Sequence, residues 1–265
     1  MVRLAGITRR VATRHDREER VRALCKLLRD LTDAQLDSIE RVVKQFRTSM
    51  VKIWRNPGSD LVDAGLLRDF GDALRVHHCF SKEPLSKDRF EYAFEKTLGL
   101  SGRIAILAGK GNPGHDITID GVPCSLKTQA DRGIHEHEIH ISKFMELGKG
   151  RWELEDLRTQ FVSHMRAYDR ILTLRCLAKP PSSAWRYELV EIPKALLLEA
   201  RRGKLRICED SKQNPKPGYC DVPGPDGTLR LQLYFDGGTE RKLQIRHLRK
   251  DLCTVHAEWA FEIND

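Results

Sequence analysis

The stretch His115-Asp-Ile-Thr-Ile-Asp-Gly-Val-Pro-Cys-Ser-Leu-Lys-Thr-Gln129 decides the fold. Its two runs alternate in character around Asp120-Gly121, and that dipeptide between alternating segments is a hairpin signal. Successive strand side chains point to opposite faces. Asp116, Thr118 and Asp120 therefore share one face of the first strand, and Ile117 and Ile119 take the other. On the return strand Ser125 and Lys127 share a face opposite Cys124 and Leu126. Turning both apolar sets toward the core places Asp116 beside Ser125 and Lys127. A carboxylate and an ammonium at one spot suit metal-assisted phosphodiester hydrolysis, with Asp116 as an oxygen ligand and Lys127 beside the attacking water. An ordinary surface ion pair is the competing reading of the same spacing.

Upstream of the hairpin, Asp88 to Leu98 reads as a short helix ended by Gly99, and Leu61 to Leu74 as another, with a polar connection at Ser81 to Lys87. From Asp16 to about Arg55, Val21, Leu24, Leu27 and Leu28, then Leu36, Ile39, Val42, Val43 and Phe46, recur at three- and four-residue intervals. They describe two amphipathic helices, the second capped by Thr32. Residues 1–85 are thus expected to form a helical subdomain with possible DNA contacts, and 86–265 the main core.

Downstream, Leu154 to Tyr168 reads as a helix and the Ile- and Leu-rich run Arg170 to Ala178 as a central strand. Tyr187 to Ile192 reads as a strand, and Pro193 to Arg202 as a short helix with proline in its first turn. Ser211 to Thr228 is rich in Pro, Gly and Asp and reads as a long loop. Leu229 to Phe235 and Arg241 to Ile245 form a second hairpin around Asp236-Gly237-Gly238-Thr239, and Cys253 to Ile263 a final strand.

The 265 residues carry a formal net charge of +8, which suits a polyanionic partner. Seven cysteines without a C-x-x-C pair argue against a disulfide framework or a zinc ribbon. No apolar run reaches the length of a membrane span or the pattern of a signal peptide, so a cytoplasmic protein is expected.

Three segments carry a family resemblance: Glu95-Lys-Thr-Leu-Gly99, Ala108-Gly-Lys-Gly-Asn-Pro-Gly-His-Asp116, and Gly121-Val-Pro-Cys-Ser-Leu-Lys127-Thr128. Together they resemble the core of PD-(D/E)xK nucleases, most closely the MutH-type nickases and their restriction-enzyme relatives. The glycine-rich segment also resembles the corresponding turn of MspI-type restriction endonucleases. The resemblance implies an α/β fold: a mixed sheet core flanked by helices, here with an N-terminal helical subdomain. It implies a type II restriction endonuclease that hydrolyses double-stranded DNA with Mg²⁺ and leaves 5′-phosphate ends. Asp116 becomes the metal ligand, Lys127 the catalytic lysine and Glu95 the helix carboxylate that completes the metal site. Ser125 stands where the family has its second acidic ligand. Glu95 is the first candidate to fill that vacancy, followed by Glu91 and by Glu146 on a later helix. A MutH-type nickase and a DNA-binding module without catalysis remain alternatives.

His135-Glu-His-Glu-Ile-His140 invites a zinc reading, but strand alternation sends His135 and His137 to one face and His140 to the other. A polar segment beside the active site is the plainer reading. Arg241-Lys-Leu-Gln-Ile-Arg-His-Leu-Arg-Lys250 concentrates hydrogen-bond donors. Arg suits guanine and Gln suits adenine, so Gln244, Arg246, His247 and Arg249 form the expected base-reading set. Lys212, Lys216, Lys242 and Lys250 are expected at phosphates. The partner is double-stranded DNA, and a homodimer is one arrangement that could meet it. A cognate methyltransferase is expected in the same system without being a physical partner.

Overall fold

In a computed structural model, which describes residues 13–109, 114–131, 134–180 and 184–263, the Asp120-Gly121 turn has φ of 49° and 86°. Two consecutive positive φ values define the turn whose twist matches a two-residue hairpin. Ile117 stands opposite Cys124, and Ile119 opposite Val122, as the alternation requires. Residues 110–113 of the glycine-rich segment, and Arg9 and Arg10 near the amino terminus, lie outside the described residues.

The helices are α1 (Arg14–Leu27), α2 (Asp33–Arg47), α3 (Ala64–His78), α4 (Lys87–Leu100), α5 (Leu154–His164) and α6 (Lys194–Leu198). Thr32 caps α2 through a reciprocal pair of bonds with Gln35. The strands are β1 (Lys52–Arg55), β2 (Ala105–Leu107), β3 (Ile117–Ile119), β4 (Val122–Gln129), β5 (Glu138–Glu146) and β6 (Arg170–Ala178). After them come β7 (Trp185–Glu191), β8 (Lys204–Ile207), β9 (Gly218–Pro223), β10 (Leu229–Asp236), β11 (Lys242–Arg249) and β12 (Thr254–Phe261).

These strands make two sheets. A seven-stranded sheet has the order β1-β12-β7-β6-β4-β3-β2, and a five-stranded sheet the order β5-β11-β10-β9-β8. In the larger sheet β4 and β6 run parallel and the other pairs antiparallel. Strand β6 sits at its centre, as its apolar run predicts. A mixed sheet covered by helices is the restriction-endonuclease-like arrangement that the sequence leads one to expect.

Side-chain parity divides the core. Leu172 and Leu174 of β6 join Leu126 and Cys124 against Phe70, Phe90 and Phe94 of α3 and α4. Ile171 faces the other way, toward α5 and the apolar face of the small sheet, with Phe161, Leu233, Phe235 and Ile245. The small sheet thus packs over the face of the large one that carries Ser125 and Lys127.

Several strands depart from the sequence reading, among them β2 and β5, the latter carrying Glu146 where a helix is expected. The expected loop from Ser211 to Thr228 contains β9, which pairs with both β8 and β10. Its Cys220 and Val222 alternate with Tyr219 and Asp221, and Pro223 falls at the strand end, where proline is tolerated. Strand β8 has no counterpart among the expected elements. Nor has β1, which pairs with β12 and so ties the N-terminal third to the large sheet. The apolar faces of α1 and α2 are largely uncovered, with Leu27 71% and Val43 48% exposed.

Candidate active site

The hairpin delivers its three polar residues to one point. Asp116 Oδ2 accepts the Leu126 backbone N–H at 2.6 Å and the Ser125 hydroxyl at 3.1 Å, and lies 4.0 Å from Lys127 Nζ. Those bonds orient the carboxylate so that Oδ1 faces α4, where Lys87 Nζ donates to it at 2.6 Å. Lys87 Nζ also lies 2.9 Å from Glu91 Oε1 one turn further along the same helix. One ammonium therefore bridges two carboxylates.

Burial works against ionisation of Asp116, but the Lys127 charge and the Lys87 hydrogen bond outweigh it and hold its carboxyl below the usual range. Burial pushes the Lys127 ammonium down to about 8, with the Asp116 charge pulling the other way. Desolvation likewise acts to lower Lys87, and its bonds to Asp116 and Glu91 win, leaving it raised. Lys127 also sits 5.4 Å from the centre of the Phe144 ring. The site opens into a cleft of about 860 Å³ whose far wall is Lys143, Phe144, Met145 and Glu146 of β5 with His164 of α5.

Glu95, the expected second carboxylate, is engaged by β2 beside the Asp116 strand and not by Lys87. Its Oε1 accepts the Leu107 N–H at 3.2 Å, which ties α4 to the edge strand β2. Lys87, Glu91 and Glu95 lie four residues apart on one helix face, and it is the turn carrying Lys87 and Glu91 that stands at the level of Asp116. Glu146 lines the cleft, from a strand and not from the expected helix, and pairs with Lys143 at 2.9 Å. Sequence reasoning misses Lys87. Its signal is the four-residue spacing to Glu91 at the start of a helix.

The small sheet holds the expected DNA-reading residues. Arg246 lies over Tyr234 at 3.8 Å, the Tyr234 and Tyr219 rings meet at a tilt of 37° with centroids 5.1 Å apart, and Arg206 lies over Tyr219 at 4.0 Å. Gln244, Tyr234, Tyr219 and Arg206 are cross-strand neighbours in one row, so this ladder runs along the polar face of the sheet. Gln244 Oε1 accepts from Arg246 at 2.9 Å and its amide donates to Asp236 at 3.1 Å. His247 and Arg249 pair with Glu138 and Asp251 at the surface, and Lys242 pairs with Glu240. Lys212 is exposed, and Lys216 bonds Glu209. The Lys250 ammonium, 17% exposed, donates at 3.0 Å to Glu188, a buried carboxylate that it shares with Arg175. Arg206 and Tyr219 escape the sequence reading because their strands do.

The histidine-rich segment forms no metal cluster among the described residues. Buried Arg175 donates to the carbonyls of His135 and Glu138 and to Gln129, and pairs with Glu188. His140 contacts Gln244. Among the described residues, Asp60, Glu191 and His256 have ligand atoms within 4.8 Å of one another. Arg170 already donates to both Asp60 oxygens at 2.9 Å and to Glu191 at 3.0 Å. With a guanidinium on both carboxylates, that cluster reads as an ion-pair lock between the turn before α3 and strands β6, β7 and β12.

A cleft lined by paired carboxylates and ammonium groups beside a polar sheet face accords with the comparisons. The family model described as SmaI, type II site-specific deoxyribonuclease, matches residues 24–261. The chain belongs to this family. The type II restriction enzyme SmaI of Serratia marcescens is 46% identical over 232 residues, covering 87% of this chain and 93% of that enzyme. No solved structure gives a significant match. As a member of the SmaI family the chain is a sequence-specific restriction endonuclease acting on double-stranded DNA. Type II restriction enzymes generally use a divalent metal ion. The donors at Asp116 fit such an ion, because two hard carboxylate oxygens already converge on one cation, the Lys87 ammonium. Among the described residues no helix is long and apolar enough to cross a membrane.

Proposed function

We propose that this endonuclease hydrolyses DNA with Mg²⁺ at the cleft built on Asp116, Glu91, Lys127 and Ser125, leaving 5′-phosphate and 3′-hydroxyl ends. The observation that carries the proposal is the convergence of Asp116 with Lys127 and with the Lys87–Glu91 pair on an open cleft. Mg²⁺ would be held by Asp116 and Glu91, and when bound it supplies Lewis-acid polarisation of the scissile phosphate. Ser125 and the Leu126 N–H fix the Asp116 carboxylate. Lys127 orients the attacking water, takes or holds its proton at Nζ, and offsets the charge developing on the phosphate oxygens. Phe144, packed near that ammonium, excludes bulk water from one side.

The polar face of the small sheet reads bases through Gln244, Arg246, His247 and Arg249, and Arg206 extends that set at the far edge. Lys242, Lys212 and Lys216 hold phosphates. Helices α1 and α2, whose apolar faces are largely uncovered, contribute DNA contacts from the N-terminal part of the chain, while β1 and α3 belong to the core. The enzyme works in the cytoplasm as a homodimer, beside a methyltransferase that protects the same sequence.

Digestion of plasmid with Mg²⁺ tests the mechanism. Asp116→Ala and Lys127→Ala are expected to lower cleavage about a thousand-fold and to retain DNA binding in a gel-shift assay. Wild-type cleavage by either variant would remove the cleft from the mechanism.

A further inference from the structure

Lys87 is not part of the hairpin, yet its ammonium occupies the most cation-demanding point of the cleft. It donates at 2.6 Å to the Asp116 oxygen that the hairpin bonds leave facing outward, and lies 2.9 Å from Glu91. Without it Asp116 and Glu91, 17% and 20% exposed, would keep only Lys127, on the far oxygen of Asp116, as a nearby cation. Like charges so placed repel, and burial increases the cost. Lys87 itself is 41% exposed, in the first turn of α4 and behind the Ser86 cap. Its long side chain can therefore leave toward solvent without disturbing the core.

We propose that Lys87 is the resident counter-cation of the divalent-ion site: its ammonium holds Asp116 and Glu91 together before the ion binds, and a divalent ion enters by displacing it. This rests on the metal-dependent reading above. It makes Glu91, and not Glu95, the second carboxylate at the ion. Glu95 keeps its bond to the Leu107 N–H and its place at the sheet edge. It also gives the displaced ammonium a task, because a cation leaving the carboxylates is free to meet a DNA phosphate at the mouth of the cleft. Lys87 is thus a positioning residue before the ion binds and a competitor for its place.

The test measures ion affinity without DNA and without turnover. Mn²⁺ binding to the full-length protein is followed by calorimetry and by the loss of the free-ion electron paramagnetic resonance signal. Lys87→Met and Lys87→Gln are expected to bind Mn²⁺ about ten-fold more tightly than wild type, since a competing charge is gone. Both are also expected to melt at lower temperature without the ion and to recover the loss with it. Glu91→Gln is expected to weaken binding by about 10- to 100-fold, and Glu95→Gln to leave it near the wild-type value. Unchanged or weaker binding in both Lys87 variants, with Asp116→Ala still abolishing it, overturns the proposal and leaves the metal-dependent reading intact. Loss on Glu95→Gln in place of Glu91→Gln overturns it as well. No Mn²⁺ binding by any of the proteins, wild type included, overturns the proposal together with the reading beneath it.

Discussion

His78, which does not line the Asp116 cleft, links folding to pH. Its Nδ1 faces the Ser81 carbonyl at 3.0 Å, which can only accept, so Nδ1 bears the hydrogen and Nε2 accepts from the Tyr187 hydroxyl at 2.8 Å. The ring stacks on Trp185 at 3.6 Å. Burial, opposed by the Ser81 bond, pushes His78 down to about 4. The folded value lies below the unfolded value of about 6.5, so between the two the unfolded chain binds more protons. Stability is then complete above about pH 6.5 and falls by roughly 3 kcal/mol as the pH drops to about 4. Urea titrations across that window are expected to show a shallower acid decline for His78→Gln than for wild type. Parallel declines would mean that the imidazole is not held neutral by its surroundings. The same scale marks the limit of reading the site from sequence. Asp116 and Lys127 are legible because a two-residue turn fixes their register. Glu91 and Glu95 sit on one helix face, and only the axial position of α4 against β3 chooses between them. Nothing in local spacing encodes that position.

At the level of elements, the Asp120-Gly121 turn is what holds the catalytic hairpin in register. Gly121 has φ of 86°, a conformation that costs a residue with a Cβ about 1–2 kcal/mol. Gly121→Ala is expected to lower stability by that amount in thermal or urea unfolding. Its effect on cleavage should exceed its effect on DNA binding, since the strain falls on the Asp116–Lys127 pairing. Equal losses in both assays would place the turn outside the catalytic register. Elements with local signatures, such as this hairpin, the capped helix α2 and the apolar run of β6, are legible in the amino-acid sequence alone. Strands β8 and β9 are not. They are short, β9 is bounded by Pro217 and Pro223, and both are held by cross-strand partners and by the Arg–Tyr ladder, which form only once distant segments meet. Strand β1 is hidden for a related reason: Ile53 and Trp54 stay 46% and 37% exposed, so no burial pattern marks it.

For the whole molecule, cutting both strands of a duplex requires two hydrolytic events, and the described residues of one chain hold one Asp116 cleft. A homodimer would bring a second, and sedimentation of the enzyme with and without a duplex is expected to give twice the mass of the chain. A monomer under both conditions would mean that one cleft is used twice in succession. The pairing of β5 with β11 makes the cleft depend on a distant part of the chain. The cleft wall from Lys143 to Glu146 is fastened by Lys242 and Leu243, which leave the ribosome long after Asp116 and Lys127. Without β11 that wall loses its fastening, and with it goes the sheet face that carries Gln244 and Arg246. The cleft thus has both of its walls only once β11 has been made.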